Sequence, residues 1–352
     1  MWNVLISIII ITGLAACDNQ EQVFPDYDFK TVYFPMQTPL RTLSLGEDRV
    51  DNTLDREYSF DIGISIGGMY ENKKSWAVDY VVDPSLTDGA FRQITLASGA
   101  IINESLFVLP ENYYNLSPVG TVEIPSGSFN GLIRIQLTDA FFNDPLAITG
   151  QYVIPLLITG TSADSILSGK ALGPEADRRV SNQWESGMTP KDWVLYGIKF
   201  VNAYHGSYLH RGMDIKYIGG VPTDTVVYNE KDVENDLVTT LTSTDLLNIS
   251  TNRIGKKRSN TGRYSMALKF ENPLGSSGPI TISPRDGSSW AATGTGEFFD
   301  LSSSVETWTG LTWQSMHLNY TYNDGTNDHQ VRDTLVFRDR GIKFEENTLV
   351  IQ

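Results

Sequence analysis

Four histidines are the residues best suited to acid–base or metal chemistry: His205, His210, His317 and His329. His205 and His210 are five positions apart, so on one strand they take opposite faces and cannot share a metal ion unless the Gly206 region turns. Polar loop or strand positions are the simpler reading of all four. Carboxylates come next, because a glycosidase needs only two. Glu297, Asp300 and Glu306 precede Trp308 and Trp313, but Glu297 and Asp300 fall on opposite faces of a strand. A chain with 42 acidic residues also produces such groupings by chance. No phosphate-binding loop, His-Glu-x-x-His or dinucleotide fingerprint occurs. The Asn323–Asp328 run lacks calcium-loop spacing and reads as an Asp-Gly hairpin turn. The chain therefore reads as a non-enzyme, with no catalytic residue, metal ligand or cofactor assigned.

Aromatic side chains remain as candidates for binding. Sugars present C–H faces that stack on Trp and Tyr, while amides and carboxylates orient their hydroxyls. Trp290 ends the loop-like stretch Asp286-Gly287-Ser288-Ser289-Trp290, Tyr113 and Tyr114 lie in Glu111-Asn112-Tyr113-Tyr114-Asn115, and Trp308 follows the acidic grouping. These four are the ligand-contact candidates, set against the plainer reading that they cover the ends of β-domains. Trp76, Trp193 and Trp313 fall on strand patterns and read as core. The one basic cluster is Arg253, Lys256, Lys257, Arg258 and Arg263. It reads as a solvated loop, or as a contact with anionic sugars or lipid headgroups.

Charge and cysteine usage bound the rest. The 352 residues hold 27 basic and 42 acidic side chains, a net charge of −15. Phosphate contacts need clustered Lys and Arg, so nucleic acid is excluded as a partner. The single cysteine, Cys17, leaves no disulfide and no thiol site for the folded part. Val4–Ile11 is an apolar run too short to span a bilayer and reads as a signal-peptide core. Leu14-Ala15-Ala16-Cys17 after it resembles the bacterial lipobox, which implies a lipid anchor on Cys17. Residues 1–17 are then a signal peptide and 18–27 an acidic tether.

The elements that must position any site are strands. Tyr58, Phe60, Ile62, Ile64 and Ile66 alternate with polar residues, as half-buried strands do. Trp76, Val78, Tyr80 and Val82 repeat the pattern, as do Ile133, Ile135 and Leu137. Val153–Ile158 is uniformly apolar, and Pro155 within it suggests an edge strand or a bulge. Turn signals separate these runs, so residues 28–160 predict an Ig-like β-sandwich. Residues 161–190 lose periodicity and read as a linker, with at most one helical turn over Ala163–Ser168. Alternation restarts at Val194 and continues through Tyr264–Phe270, Thr312–Tyr322 and His329–Arg338. Eight or nine strands joined by short turns over 191–352 predict an antiparallel β-barrel. The expected fold is all-β.

Two sets of residues carry a resemblance. Thr31-Val32-Tyr33-Phe34-Pro35, the Glu57–Gly67 strand and Val122-Glu123-Ile124-Pro125-Ser126-Gly127 resemble the N-terminal β-sandwich of Bacteroidetes surface lipoproteins, a module that also precedes chitinase-like endoglycosidases. Leu195–Asn202, Tyr204–Gly212 and Asp333–Gly341 resemble a lipocalin-like (calycin-type) barrel that follows it in uncharacterised lipoproteins. The chitinase-like Asp-x-x-Asp-x-Asp-x-Glu motif is missing from the sequence. The resemblance implies an outer-membrane, cell-surface lipoprotein that touches the membrane through its anchor alone. It implies glycan capture, beside a neighbouring outer-membrane transporter complex. Two alternatives stand beside this reading: a lipid or other apolar small ligand held in the barrel, and a structural, fimbrial-type subunit.

Overall fold

The computed structural model describes residues 26–96, 98–259 and 262–352. Cys17, the signal segment and nearly all of the tether lie outside the described residues. The chain is all-β, a two-sheet sandwich followed by a closed barrel. No described helix is long and apolar enough to cross a membrane.

The sandwich strands are β1 (Thr31–Tyr33), β2 (Pro39–Ser44), β3 (Ser59–Gly67), β4 (Trp76–Val82), β5 (Tyr114–Ser117), β6 (Thr121–Ile124), β7 (Asn130–Leu137), β8 (Tyr152–Thr161) and β9 (Trp193–Val201). One sheet runs Ser165–Ile166, β1, β3, β7, β5; the other runs Glu345–Glu346, β2, β9, β8, β4, β6. The period-two residues Phe60, Ile62, Ile64 and Ile66 meet Val78, Tyr80, Ile154 and Ile158 in the core between the sheets. A second apolar layer lies behind the other sheet, where Leu86, Leu106, Val153, Trp193 and Leu195 pack with the C-terminal Leu349 and Ile351.

Four expectations change here. The strand beginning at Val194, expected to open the barrel, is β9 of the sandwich, paired with β8 and β2. Its alternation fits either domain. Here Val194, Ile198 and Phe200 face one apolar layer while Trp193 and Leu195 face the other. The C-terminal end also returns to the sandwich, where Thr348–Ile351 pairs with Ala90–Gln93. Pro155 lies in a central strand rather than at an edge. Its missing N–H falls where β8 changes neighbours, from Phe107–Val108 beside residues 152–153 to β4 from Leu156 onward. Within 161–190, Ser165–Ile166 is a strand beside β1 rather than a helical turn, and Ala171 bridges Trp184.

The barrel strands are β10 (Gly206–Ile218), β11 (Val221–Tyr228), β12 (Leu237–Ser243), β13 (Asn248–Thr251), β14 (Met266–Phe270), β15 (Gly278–Pro284), β16 (Thr293–Phe299), β17 (Ser315–Asn323) and β18 (Asp328–Asp339). β10 and β12–β18 pair in sequence order, and β18 closes on β10. β12 covers only Gly206–His210 of β10, and β11 pairs with the strand beyond Gly212. A short hairpin, Arg253–Ile254 with Lys257–Arg258, packs into the barrel near that change of partner. Its Ile254 is fully buried, and the Gly255 N–H donates to Tyr320 Oη at 2.7 Å. Gly255 makes this turn at φ +50°, a conformation costly for a residue with a Cβ.

Inward-facing side chains fill the barrel. Tyr204 stacks on Phe270 with Phe298 edge-on, and Leu241, Leu268, Met266, Met316, Leu318 and Tyr320 continue the column. At the end nearest the sandwich, Arg340 is 2 % exposed and donates to Glu47 O, Ala203 O and His205 O. That guanidinium ties the two domains.

Candidate functional site

The four aromatic candidates do not converge. Tyr113 and Tyr114 belong to the sandwich; the Tyr113 hydroxyl donates to Asp144 at 2.9 Å and its ring lies edge-on to Phe141 and Tyr152. Trp308 sits at the sandwich-facing end of the barrel. Its indole N–H donates to Phe337 O at 2.9 Å, its ring tilts against Trp313, and Arg49 of the first domain lies 5.7 Å above it. These three are occupied by packing. Trp76 and Trp193 are core as expected, whereas Trp313 is only partly buried against the barrel core.

Trp290 lies at the opposite, distal end. It is half-buried, stacks on Tyr322 with centroids 4.8 Å apart, and tilts against Tyr264 at 4.4 Å. Tyr322 stacks in turn on His329, whose Nδ1 lies 2.7 Å from Asp214 and Nε2 3.2 Å from Asp324. The Tyr322 hydroxyl donates to Asp214 at 2.7 Å. Burial, followed by that carboxylate bond, pushes the Tyr322 phenol above its ordinary range.

Below this end lies an arrangement with the form of a catalytic relay. Thr239 Oγ1 is 2.8 Å from His210 Nδ1, and His210 Nε2 is 3.1 Å from Asp333 Oδ1, though poorly aligned for a hydrogen bond. Asp333 also accepts from the Tyr228 and Tyr320 hydroxyls. Thr239, His210 and Asp333 are each 3 % exposed or less, so no substrate reaches the hydroxyl. The network satisfies the Thr239, Tyr228 and Tyr320 hydroxyls inside the barrel and leaves His210 Nε2 without a well-aligned bond. Sequence spacing could not find it, because the β10–β18 closure places His210 beside Leu335 across more than a hundred residues. The other histidines stand apart: His205 occupies the turn before β10, where its Nδ1 accepts from the Ser243 N–H, and His317 pairs with Glu306 at 3.1 Å. Among the described residues no group of three or more His, Cys, Asp or Glu could hold a metal ion.

A groove of about 610 Å³ runs along the outer flank of the barrel toward the distal end. The outward-facing Thr240 and Thr242 of β12, Asn252, Arg258, Ser265 and the loop residues Arg285 and Asp286 line it. The loop that supplies Arg285 and Asp286 ends at Trp290, and Ser288 Oγ donates to Trp290 O at 2.8 Å. Of the basic cluster, Arg253 departs from the expected solvated loop. It is 7 % exposed and donates to Lys256 O and Val238 O, because its hairpin packs inward. Lys256, Lys257, Arg258 and Arg263 are exposed.

Residues 203–341 match the family model described as a domain of unknown function, DUF5627, and residues 27–165 match a model of an N-terminal domain. A crystal structure of a Bacteroides ovatus protein of unknown function is 32 % identical, with a TM-score of 0.77, over 93 % of this chain and 100 % of that one. This chain belongs to the same family. Its DUF5627 segment corresponds to the barrel and begins after β9, which the pairing places in the sandwich. A second Bacteroides ovatus protein of unknown function is 16 % identical with a TM-score of 0.40, over 91 % of this chain and 99 % of that one. An auxiliary nutrient binding protein from Bacteroides thetaiotaomicron VPI-5482 is 13 % identical with a TM-score of 0.36, over 84 % and 89 %. Both are too distant for their properties to bear on this chain. No curated protein matches it.

Proposed function

We propose that this protein is a non-catalytic, lipid-anchored cell-surface protein of the outer membrane that captures glycan for a neighbouring uptake system. In this reading the DUF5627 domain is a lipocalin-like barrel that binds on its outside. One observation carries it: the flank groove is lined by hydroxyl, amide and charged side chains and shares a loop with the half-buried Trp290, while aromatic side chains fill the barrel interior. Hydroxyl-rich ligands need oriented polar partners with an apolar face nearby, which this flank supplies. A lipid would need an apolar chamber, and the column from Tyr204 to Tyr322 fills that space among the described residues.

The chain from residue 24 onward, which holds every described element, is to be run through gels containing individual plant and host polysaccharides. Retardation on at least one of them is the expected result, weakened several-fold by Trp290→Ala. Unretarded migration on the whole panel, together with saturable uptake of a fluorescent fatty acid, would favour the apolar-ligand alternative.

A further inference from the structure

The protein carries a net charge of −15, yet between Asp245 and Glu271 it has no acidic residue and six basic ones: Arg253, Lys256, Lys257, Arg258, Arg263 and Lys269. Arg253 is consumed inside the barrel by carbonyl bonds. Arg258 is exposed and opens onto the flank groove, where Arg285 joins it from the loop that leads to Trp290. Most of the protein's arginines are ion-paired or bonded to carbonyls, as Arg92 is to Glu104, Arg134 to Asp61 and Arg211 to Asp236. Arg258 and Arg285 form no ion pair and no side-chain hydrogen bond among the described residues. Asp286 is the one acidic side chain in the lining, so the groove is net positive within an acidic molecule.

We propose that the flank groove binds an anionic glycan, with Arg258 and Arg285 holding a sugar carboxylate or sulfate from two sides. The inference rests on the glycan reading above and narrows it to a charge class. Guanidinium forks match planar carboxylate and tetrahedral sulfate oxygens with paired N–H donors. Thr240, Thr242 and Asn252 offer donors and acceptors for ring hydroxyls, and Asp286 offers an acceptor. A membrane-binding patch would instead present its cations on a convex face, whereas these two arginines line a concavity.

Binding is to be measured for the chain from residue 24 onward against polygalacturonate, chondroitin sulfate, neutral galactomannan and phosphatidylglycerol vesicles, at low and moderate salt. The expected result is retention on at least one acidic polymer, weakening as salt rises and at least tenfold weaker in the Arg258→Gln/Arg285→Gln double variant. Lys256→Gln/Lys257→Gln, outside the groove lining, should weaken it less than threefold. Retention on galactomannan alone, unchanged in the arginine double variant, overturns the charge class and leaves the glycan reading standing. Retention on none of the polymers removes both, and vesicle binding without polymer binding assigns the patch to a membrane. Equal losses from the lysine and arginine pairs would mean a diffuse field rather than a clamp, and would overturn the proposal.

Discussion

The two ends of the DUF5627 barrel use the same residue types in opposite ways. At the sandwich-facing end the arginines are consumed: Arg340 bonds three backbone carbonyls, Arg49 donates to Arg338 O, and Arg56 pairs with Glu47 at 3.3 Å. The tryptophans there, Trp308 and Trp313, lie against each other under Arg49. Both carboxylates of the small junction cavity are spoken for: Glu47 pairs with Arg56, and hydrogen bonds from Ser302 and Ser303 hold Asp300 down to about 2. At the distal flank, Arg258 and Arg285 have no ion-pair or side-chain hydrogen-bond partner among the described residues, and Trp290 is half-buried. Residue type therefore does not separate structure from binding here. Satisfaction does, because a charge already bonded within the fold has little left to offer a ligand.

The most severe way to break the contrast is at Arg340. Arg340→Met removes donors from Glu47 O, Ala203 O and His205 O in a buried junction. Leaving such groups unpaired should cost about 3–5 kcal/mol in urea unfolding. Gly46→Ala should act in the same direction, because a Cβ there would overlap the Arg340 guanidinium. A loss below ~1 kcal/mol for Arg340→Met would mean that the junction contributes little to stability.

Next in size is the buried network near the distal end. Asp333→Asn keeps the side-chain shape but presents one acceptor oxygen where the Tyr228 and Tyr320 hydroxyls now use two. A loss of roughly 2–3 kcal/mol is expected. Polysaccharide binding at equal folded concentration should stay unchanged, since the network is sealed from the groove. A binding defect in a folded Asp333→Asn protein would show that the two are coupled.

His205 gives the junction a pH dependence. Burial, with Arg340 and Lys199 nearby, depresses its pKa from 6.5 to about 4. The unfolded chain then takes up a proton below about 6.5 that the folded chain refuses until about 4, so stability is full above pH 6.5 and falls through that window. From pH 7 to pH 5 the loss attributable to this group is roughly 2 kcal/mol. His205→Asn, which retains an acceptor for the Ser243 N–H, should unfold with a pH dependence flatter by that amount. Parallel curves for the two proteins would show that His205 titrates normally.

How much of this was legible in the sequence follows from how local each signal is. Alternation located β3, β4, β7 and the barrel strands β14, β17 and β18, because facing is a period-two property of the strand itself. It could not assign β9 to a domain, since a strand apolar on both faces suits either. The His210–Asp333 approach depends on which strand closes the barrel, a relation of register that no single segment encodes. Trp290 ends a loop-like stretch and Trp308 follows an acidic grouping, and neither local setting tells which ring is left for a ligand. Only the topology puts one over the distal end and the other under Arg49. The basic cluster was read as a unit, but the Gly255 turn sends Arg253 inward and leaves Arg258 outside.

That division of the cluster yields the smallest expected effect and the sharpest test of the comparison. Arg258 and Arg285 have exposed side chains with no bond to lose among the described residues, so replacing both with Gln should change unfolding free energy by no more than ~0.5 kcal/mol. Removing two like charges from one groove should, if anything, shift stability slightly upward at low salt, where their mutual repulsion is least screened. The same chemical change, loss of a guanidinium, would then be severe at Arg340 and nearly silent on the flank. If the flank variant instead unfolds more than 1 kcal/mol more easily, those arginines are held by the fold after all. The contrast between a satisfied junction and an unsatisfied flank would then fail, and with it the reason for looking to the groove for an anionic ligand.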